Sequence, residues 1–149
     1  MPISNKDVVG RLYCEVWNER KLDVIDELIS KSHALNEPTI SGAAVGPQAY
    51  KRQVERFLAV FGDLRFVVED TISEKDKLVA SWTLTGIHQG EIFGIAPTNR
   101  KVFVSGITIH ELADGKILES QVIWDAIGLL QQLDTPFPGK QEKRAASSR

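Results

Sequence analysis

The 149 residues carry 18 Lys plus Arg against 20 Asp plus Glu, a net charge of −2, with 42% hydrophobic and 26% charged residues. That balance excludes collagen-like, low-complexity and disordered chains, and the length suits one domain around one core. The single cysteine, Cys14, excludes an intrachain disulfide and a thiolate metal cluster, and a weakly acidic chain is a poor electrostatic match to nucleic acid.

The opening residues MPISNKD show no basic stretch followed by an apolar one. The longest purely apolar run, Phe57 to Phe61, falls far short of the ~20 residues of a membrane span, so a cytoplasmic location and no membrane partner are expected. Ser4 with Asp7 three residues later forms a capping box ahead of Val9, Leu12, Tyr13, Val16 and Trp17, which repeat at helical spacing. A first helix over about 5–19 follows. Leu22, Ile25, Leu28 and Ile29 predict a short second helix, and the segment with His33, Asn36 and Pro38 reads as a loop. Gly46 and Pro47 open a third helix with the stripe Tyr50, Val54, Phe57, Leu58 and Phe61, and Gly62 is read as its stop.

From Leu64 the period becomes two. Strands are predicted over 64–72 and 78–88, followed by KVFVSGITIHEL and KILESQVIW, joined at Ala113-Asp114-Gly115. Asp125 precedes a short last helix, AIGLLQQL. Helices followed by an antiparallel meander give an α+β fold, with the helices covering one face of a curved sheet. The tail 138–149, PGKQEKRAASSR, holds four basic residues and one acidic residue and reads as a flexible extension of a domain spanning 1–137.

Two stretches carry a family resemblance. They are Gly86-Ile-His-Gln-Gly-Glu-Ile-Phe-Gly-Ile-Ala-Pro-Thr-Asn-Arg100, and Asp114-Gly-Lys-Ile-Leu-Glu continuing to Trp124-Asp-Ala-Ile-Gly-Leu-Leu-Gln-Gln-Leu133. With the order of elements, they make the chain resemble the SnoaL-like polyketide cyclases of the nuclear transport factor 2 and ketosteroid isomerase superfamily. The resemblance implies a cone-shaped α+β barrel around a deep apolar pocket, a homodimer, a hydrophobic small-molecule ligand, and chemistry without metal or organic cofactor. It also implies acid/base chemistry of the isomerase or lyase type: ring closure by intramolecular aldol condensation, isomerisation or hydration. Such chemistry needs a base for an acidic C–H proton and a donor for the enolate oxygen. In the family an Asp on the last strand and a His on the strand before it serve. Counted from the Asp114-Gly115 turn, these positions fall on Val122 and Thr108, neither of which is a general base near neutral pH. The family's first-helix tyrosine and third-helix asparagine correspond to Trp17 and Gln53.

With Gly115 left-handed in a three-residue loop, Thr108 faces Ser120, Gly106 faces Val122 and His110 faces Leu118. Thr108, His110, Ser120 and Val122 then share a sheet face. A two-residue loop shifts the pairing by one and puts His110 opposite Glu119. His88, at a strand end beside a long connection, is the first candidate for proton transfer, the alternative being a structural histidine that bonds a loop carbonyl. Asp125 is the second, although its place directly before the last helix makes capping that helix the better reading. His33 sits where superfamily pockets have their mouth, and His110 lies nearer the hairpin end. Trp17, Tyr50, Phe57, Trp82 and Phe93 are candidates to line an apolar cavity. No HxH or HExxH spacing occurs, so no metal is expected. The competing reading is a non-catalytic ligand-binding or dimeric scaffold protein, motivated by Val122 and Thr108 at the acid/base positions.

Overall fold

A computed structural model describes residues 4–133. The tail 138–149 and the end of the expected domain lie outside them. Ser4 caps α1 (Asn5–Arg11) by accepting the Asp7 N–H, and the same helix continues in wider π-helical turns over Leu12–Asn18. Leu12, Tyr13, Val16 and Trp17 all face the interior from this stretch. A 3₁₀ turn (Leu22–Val24) leads into α2 (Ile25–Leu28). α3 (Pro47–Val60) starts after Gly46, whose φ of 92° suits a glycine, with Pro47 at its first turn, and it turns Tyr50, Gln53, Val54 and Phe57 inward.

The sheet has six strands in the order β2-β1-β6-β5-β4-β3. β3 (Phe61–Glu74), β4 (Lys77–His88), β5 (Lys101–Ala113) and β6 (Lys116–Trp124) form the expected antiparallel meander. β2 (Ala44–Val45) is antiparallel to β1 (Ile29–Asn36), and β1 runs parallel to β6. Because β2 and β3 remain edges, the curved sheet is an open cone rather than a closed barrel. α4 (Ala126–Gln132) follows β6.

Two expectations change. The segment around His33 and Asn36 is not a loop but β1, where Ile29, His33 and Leu35 are buried. Gly62 does not stop α3: the helix ends at Val60, and Gly62 is already a strand residue opposite Ile87. The last hairpin also differs from both registers read in the sequence. Asp114 and Gly115, with φ of 52° and 78°, form a two-residue turn that pairs Ala113 with Lys116. Leu118 is then left without a partner, because Leu112 pairs with Ile117 and Glu111 with Glu119. This bulge moves the register on by one, so that Thr108 faces Val122 and His110 faces Ser120. The observed pairing is two residues from the three-residue-loop register, an even shift. The four side chains therefore share the inner face as expected.

Candidate functional site

The inner sheet face, the π-helical turns and α3 enclose one narrow slot. Its empty space is about 620 Å³, open solvent at the mouth included. Trp17, Tyr50, Phe57, Phe66, Trp82 and Trp124 form most of its wall, with Leu35, Phe61, Leu84 and Val104 between them. The aromatic rings meet at an angle: Trp17 and Phe66 lie 4.9 Å apart at 59°, and Phe66 and Trp82 4.9 Å apart at 72°. Gly106 lets the Trp82 indole lie against β5, since a Cβ there would stand 2.3 Å from the indole.

Two polar clusters interrupt this apolar wall. The first is built on Glu37, the one carboxylate among the residues lining the slot. Its carboxylate accepts from the Thr39 N–H (3.2 Å), from Gln53 Nε2 (3.0 Å), from the Thr39 hydroxyl and from Trp124 Nε1, while Arg56 approaches to 3.6 Å. The carboxylate is held because β1 ends at Asn36 and the chain turns, placing it against Gln53 of α3 and Trp124 of β6. The second cluster crosses the slot's floor. Trp82 Nε1 donates to Thr108 Oγ1 (2.9 Å), the Tyr13 hydroxyl meets His110 Nε2 (3.1 Å), and Ser120 Oγ lies 3.0 Å from both His110 Nδ1 and His33 Nε2. Burial pushes the His33 imidazole down to about 4. Burial, with neighbouring His33, pushes His110 down to about 3, so both rings are neutral at pH 7. Burial pushes the Tyr13 and Tyr50 phenols up, so they too remain neutral.

Trp17, Gln53, Trp82, Thr108 and Val122 are thus brought together on the slot wall. His33 sits one layer behind it, bonded to Ser120 and edge-on to Tyr50 (5.6 Å, 86°). Phe93 lies outside the wall, half-exposed and packed on Trp124 at 6.0 Å. His88 and Asp125 do not line the slot. His88 Nδ1 accepts the Thr98 N–H (3.1 Å), and its backbone pairs with Asn99 and Arg100, which anchors the connection between β4 and β5. Asp125 caps α4 by accepting the Gly128 N–H (2.8 Å) and is exposed. Tyr13, Glu37, Ser120 and Trp124 were not singled out as site residues in the sequence. Tyr13 carried only a periodicity signal, Trp124 stood in a family-like stretch without a role, and Glu37 was hidden in an apparent loop. Among the described residues no group of three or more His, Cys, Asp or Glu side chains could hold a metal ion.

Residues 7–133 match the family model of the SnoaL-like polyketide cyclases. The chain belongs to that family. It is 31% identical over 124 residues to the nogalonic acid methyl ester cyclase of Streptomyces nogalater, covering 82% of this chain and 92% of that one. It is also 31% identical over 146 residues to the aklanonic acid methyl ester cyclase AcmA of Streptomyces galilaeus, covering 95% and 99%. A crystal structure from Jannaschia sp. CCS1, assigned to the SnoaL-like polyketide cyclases, superposes with a TM-score of 0.78 at 26% identity, covering 89% of this chain and 93% of that one. This SnoaL-like chain therefore keeps the family's α+β cone while presenting Glu37 and the His110 cluster to its slot.

Proposed function

We propose that the chain is a cofactor-free cyclase that closes a ring in a flat, hydrophobic, oxygenated substrate of the polyketide type, by proton transfer inside the aromatic slot. The observation that carries this reading is a single carboxylate, Glu37, set in the wall of an otherwise largely apolar cleft. Glu37 takes the C–H proton. A carboxylate is a mild base, so the C–H it deprotonates has to be activated by flanking carbonyls, as in a polyketide chain. The carbanion then attacks a second carbonyl of the same molecule, and the alkoxide so formed takes up the proton that Glu37 removed, which returns the carboxylate to its starting state. The rings of Trp17, Phe66, Trp82 and Trp124 hold the chain folded so that the two carbons meet, which replaces a costly entropic search by a bound conformation. The two relatives described above are named as cyclases of nogalonic acid and aklanonic acid methyl esters, and those esters are the first compounds to offer. The test is incubation of the purified chain with nogalonic and aklanonic acid methyl esters, following ring closure by chromatography and mass spectrometry. A cyclised product, absent from the enzyme-free control, is expected. Tight binding with no product would favour the ligand-binding alternative, which the absence of an acid/base pair at Val122 and Thr108 also motivates.

A further inference from the structure

The polar cluster on the slot floor is a continuous chain with one hydrogen too many. Tyr13, His110, Ser120 and His33 succeed one another through three contacts. Each group carries one hydrogen on its polar atoms when both imidazoles are neutral, which makes four hydrogens for three contacts. One is left over. The buried end could hold it only as a proton on His33 Nδ1, which has no hydrogen-bond partner. A buried N–H without an acceptor costs more than a bare lone pair in the same place. In His88 the backbone N–H of Thr98 fixes Nδ1 as an acceptor and leaves no choice, but nothing forces such an arrangement on His33.

With the ring proton of His33 on Nε2, it donates to Ser120, and the surplus hydrogen must leave the chain at Ser120 or Tyr13. Both line the slot. A phenol is the stronger donor of the two, and its oxygen is supported when His110 donates to it. We infer that His33, Ser120 and His110 form a one-way hydrogen-bond relay that aims the Tyr13 O–H into the slot, as the donor to a carbonyl oxygen of the bound ligand. Tyr13 touches the ligand, while His33 and His110 are positioning residues. The relay is uncharged, so it suits a neutral ketone that gains negative charge as it enolises rather than a carboxylate.

Two measurements on the full chain decide this. Imidazole ¹⁵N spectra at pH 7 should show both His33 and His110 as the Nε2–H tautomer. A proton on Nδ1 of His33 would strand the surplus at the buried end, and one on Nδ1 of His110 would pass it to Ser120, and either overturns the inference. The second uses fluorenone, a flat tricyclic ketone. Its carbonyl stretch should move to lower frequency on binding, relative to the ketone in hydrocarbon solvent. The shift should disappear in Tyr13→Phe and persist in Ser120→Ala, whereas a shift that survives Tyr13→Phe sinks the assignment. The nitrogen spectra decide even where fluorenone does not bind or Tyr13→Phe does not fold. Only the role in turnover rests on the cyclase reading: there Tyr13→Phe should lower kcat by about 10²- to 10³-fold. A wild-type chain with the expected tautomers but no cyclised product would end the cyclase reading and leave the relay standing.

Discussion

Glu37 is nearly fully buried, yet four hydrogen bonds from Thr39, Gln53 and Trp124 converge on its carboxylate. Each replaces part of the hydration that burial removes. Glu37→Gln keeps the shape but turns an NH₂ toward one set of these donors, so it should cost about 1–3 kcal/mol of stability. If Glu37 is the proton acceptor, turnover should fall by about 10²-fold or more in the molecules that remain folded. Urea melts and single-turnover assays on the same preparation check both, and retained turnover would remove Glu37 from the chemistry. The two histidines make a separate prediction. Their folded pKa values, about 4 for His33 and about 3 for His110, lie below the unfolded value of about 6.5, so the unfolded chain binds protons that the folded one refuses. The stability they allow is complete above pH 6.5 and is lost as pH falls toward 4, at about 1.4 kcal/mol per pH unit for each ring. Their hydrogen-bonding and ring partners are Tyr13, Tyr50 and Ser120, none of them charged. Chemical denaturation at pH 7, 6 and 5 should show a stability loss on the order of 4 kcal/mol by pH 5, and a flat profile would contradict the neutral, buried state of both rings.

At the scale of elements, His88 belongs to the connection between β4 and β5. It is buried, and Thr98, Asn99 and Arg100 all bond to its ring or backbone. His88→Ala should therefore loosen residues 89–100 and lower the melting temperature, with a stability cost of about 1–3 kcal/mol, while turnover per folded molecule is maintained. A folded variant that loses turnover 10²-fold would return His88 to the chemistry. The helices, the four long strands and the cap formed by Asp125 were legible because their signals are local: capping oxygens, period 3.6 on α1 and α3, period 2 from Leu64 onward. β1 was not. Its residues ISKSHALN contain too few apolar side chains to alternate visibly, and its partner β6 lies some 85 positions later in the chain. The bulge at Leu118 was invisible for a related reason. A turn dipeptide announces where a hairpin reverses, but not where its ladder slips. Glu37, just past β1, went unassigned with it, and His33 was expected at the pocket mouth rather than buried in a strand behind the wall, so the least legible element carried the least expected part of the site.

For the whole molecule, the outer face of the sheet leaves Phe103, Ile107 and Ile123 about half exposed, with Ile107 directly opposite Ile123 across β5 and β6. These side chains face away from the slot. A patch of this kind in water calls for a partner, and the expected one is a second copy of the chain in a two-fold arrangement. Light scattering should report twice the 16.6 kDa chain mass, and Ile107→Asp should halve it without emptying the slot. A wild-type monomer at micromolar concentration would refute the dimer. The parallel pairing of β1 with β6 has a consequence for how the chain acquires its structure. Asn36 opposite Gln121 and His33 beside Ser120 are contacts that no early, local event can make, because the β5–β6 hairpin must exist before β1 has an edge to join. Closing so long a loop is entropically late, so folding should finish with the N-terminal third docking onto a preformed meander. Since that docking brings Glu37 and His33 to the slot, affinity for a ligand should appear only in the slowest refolding phase, after most of the secondary structure has formed.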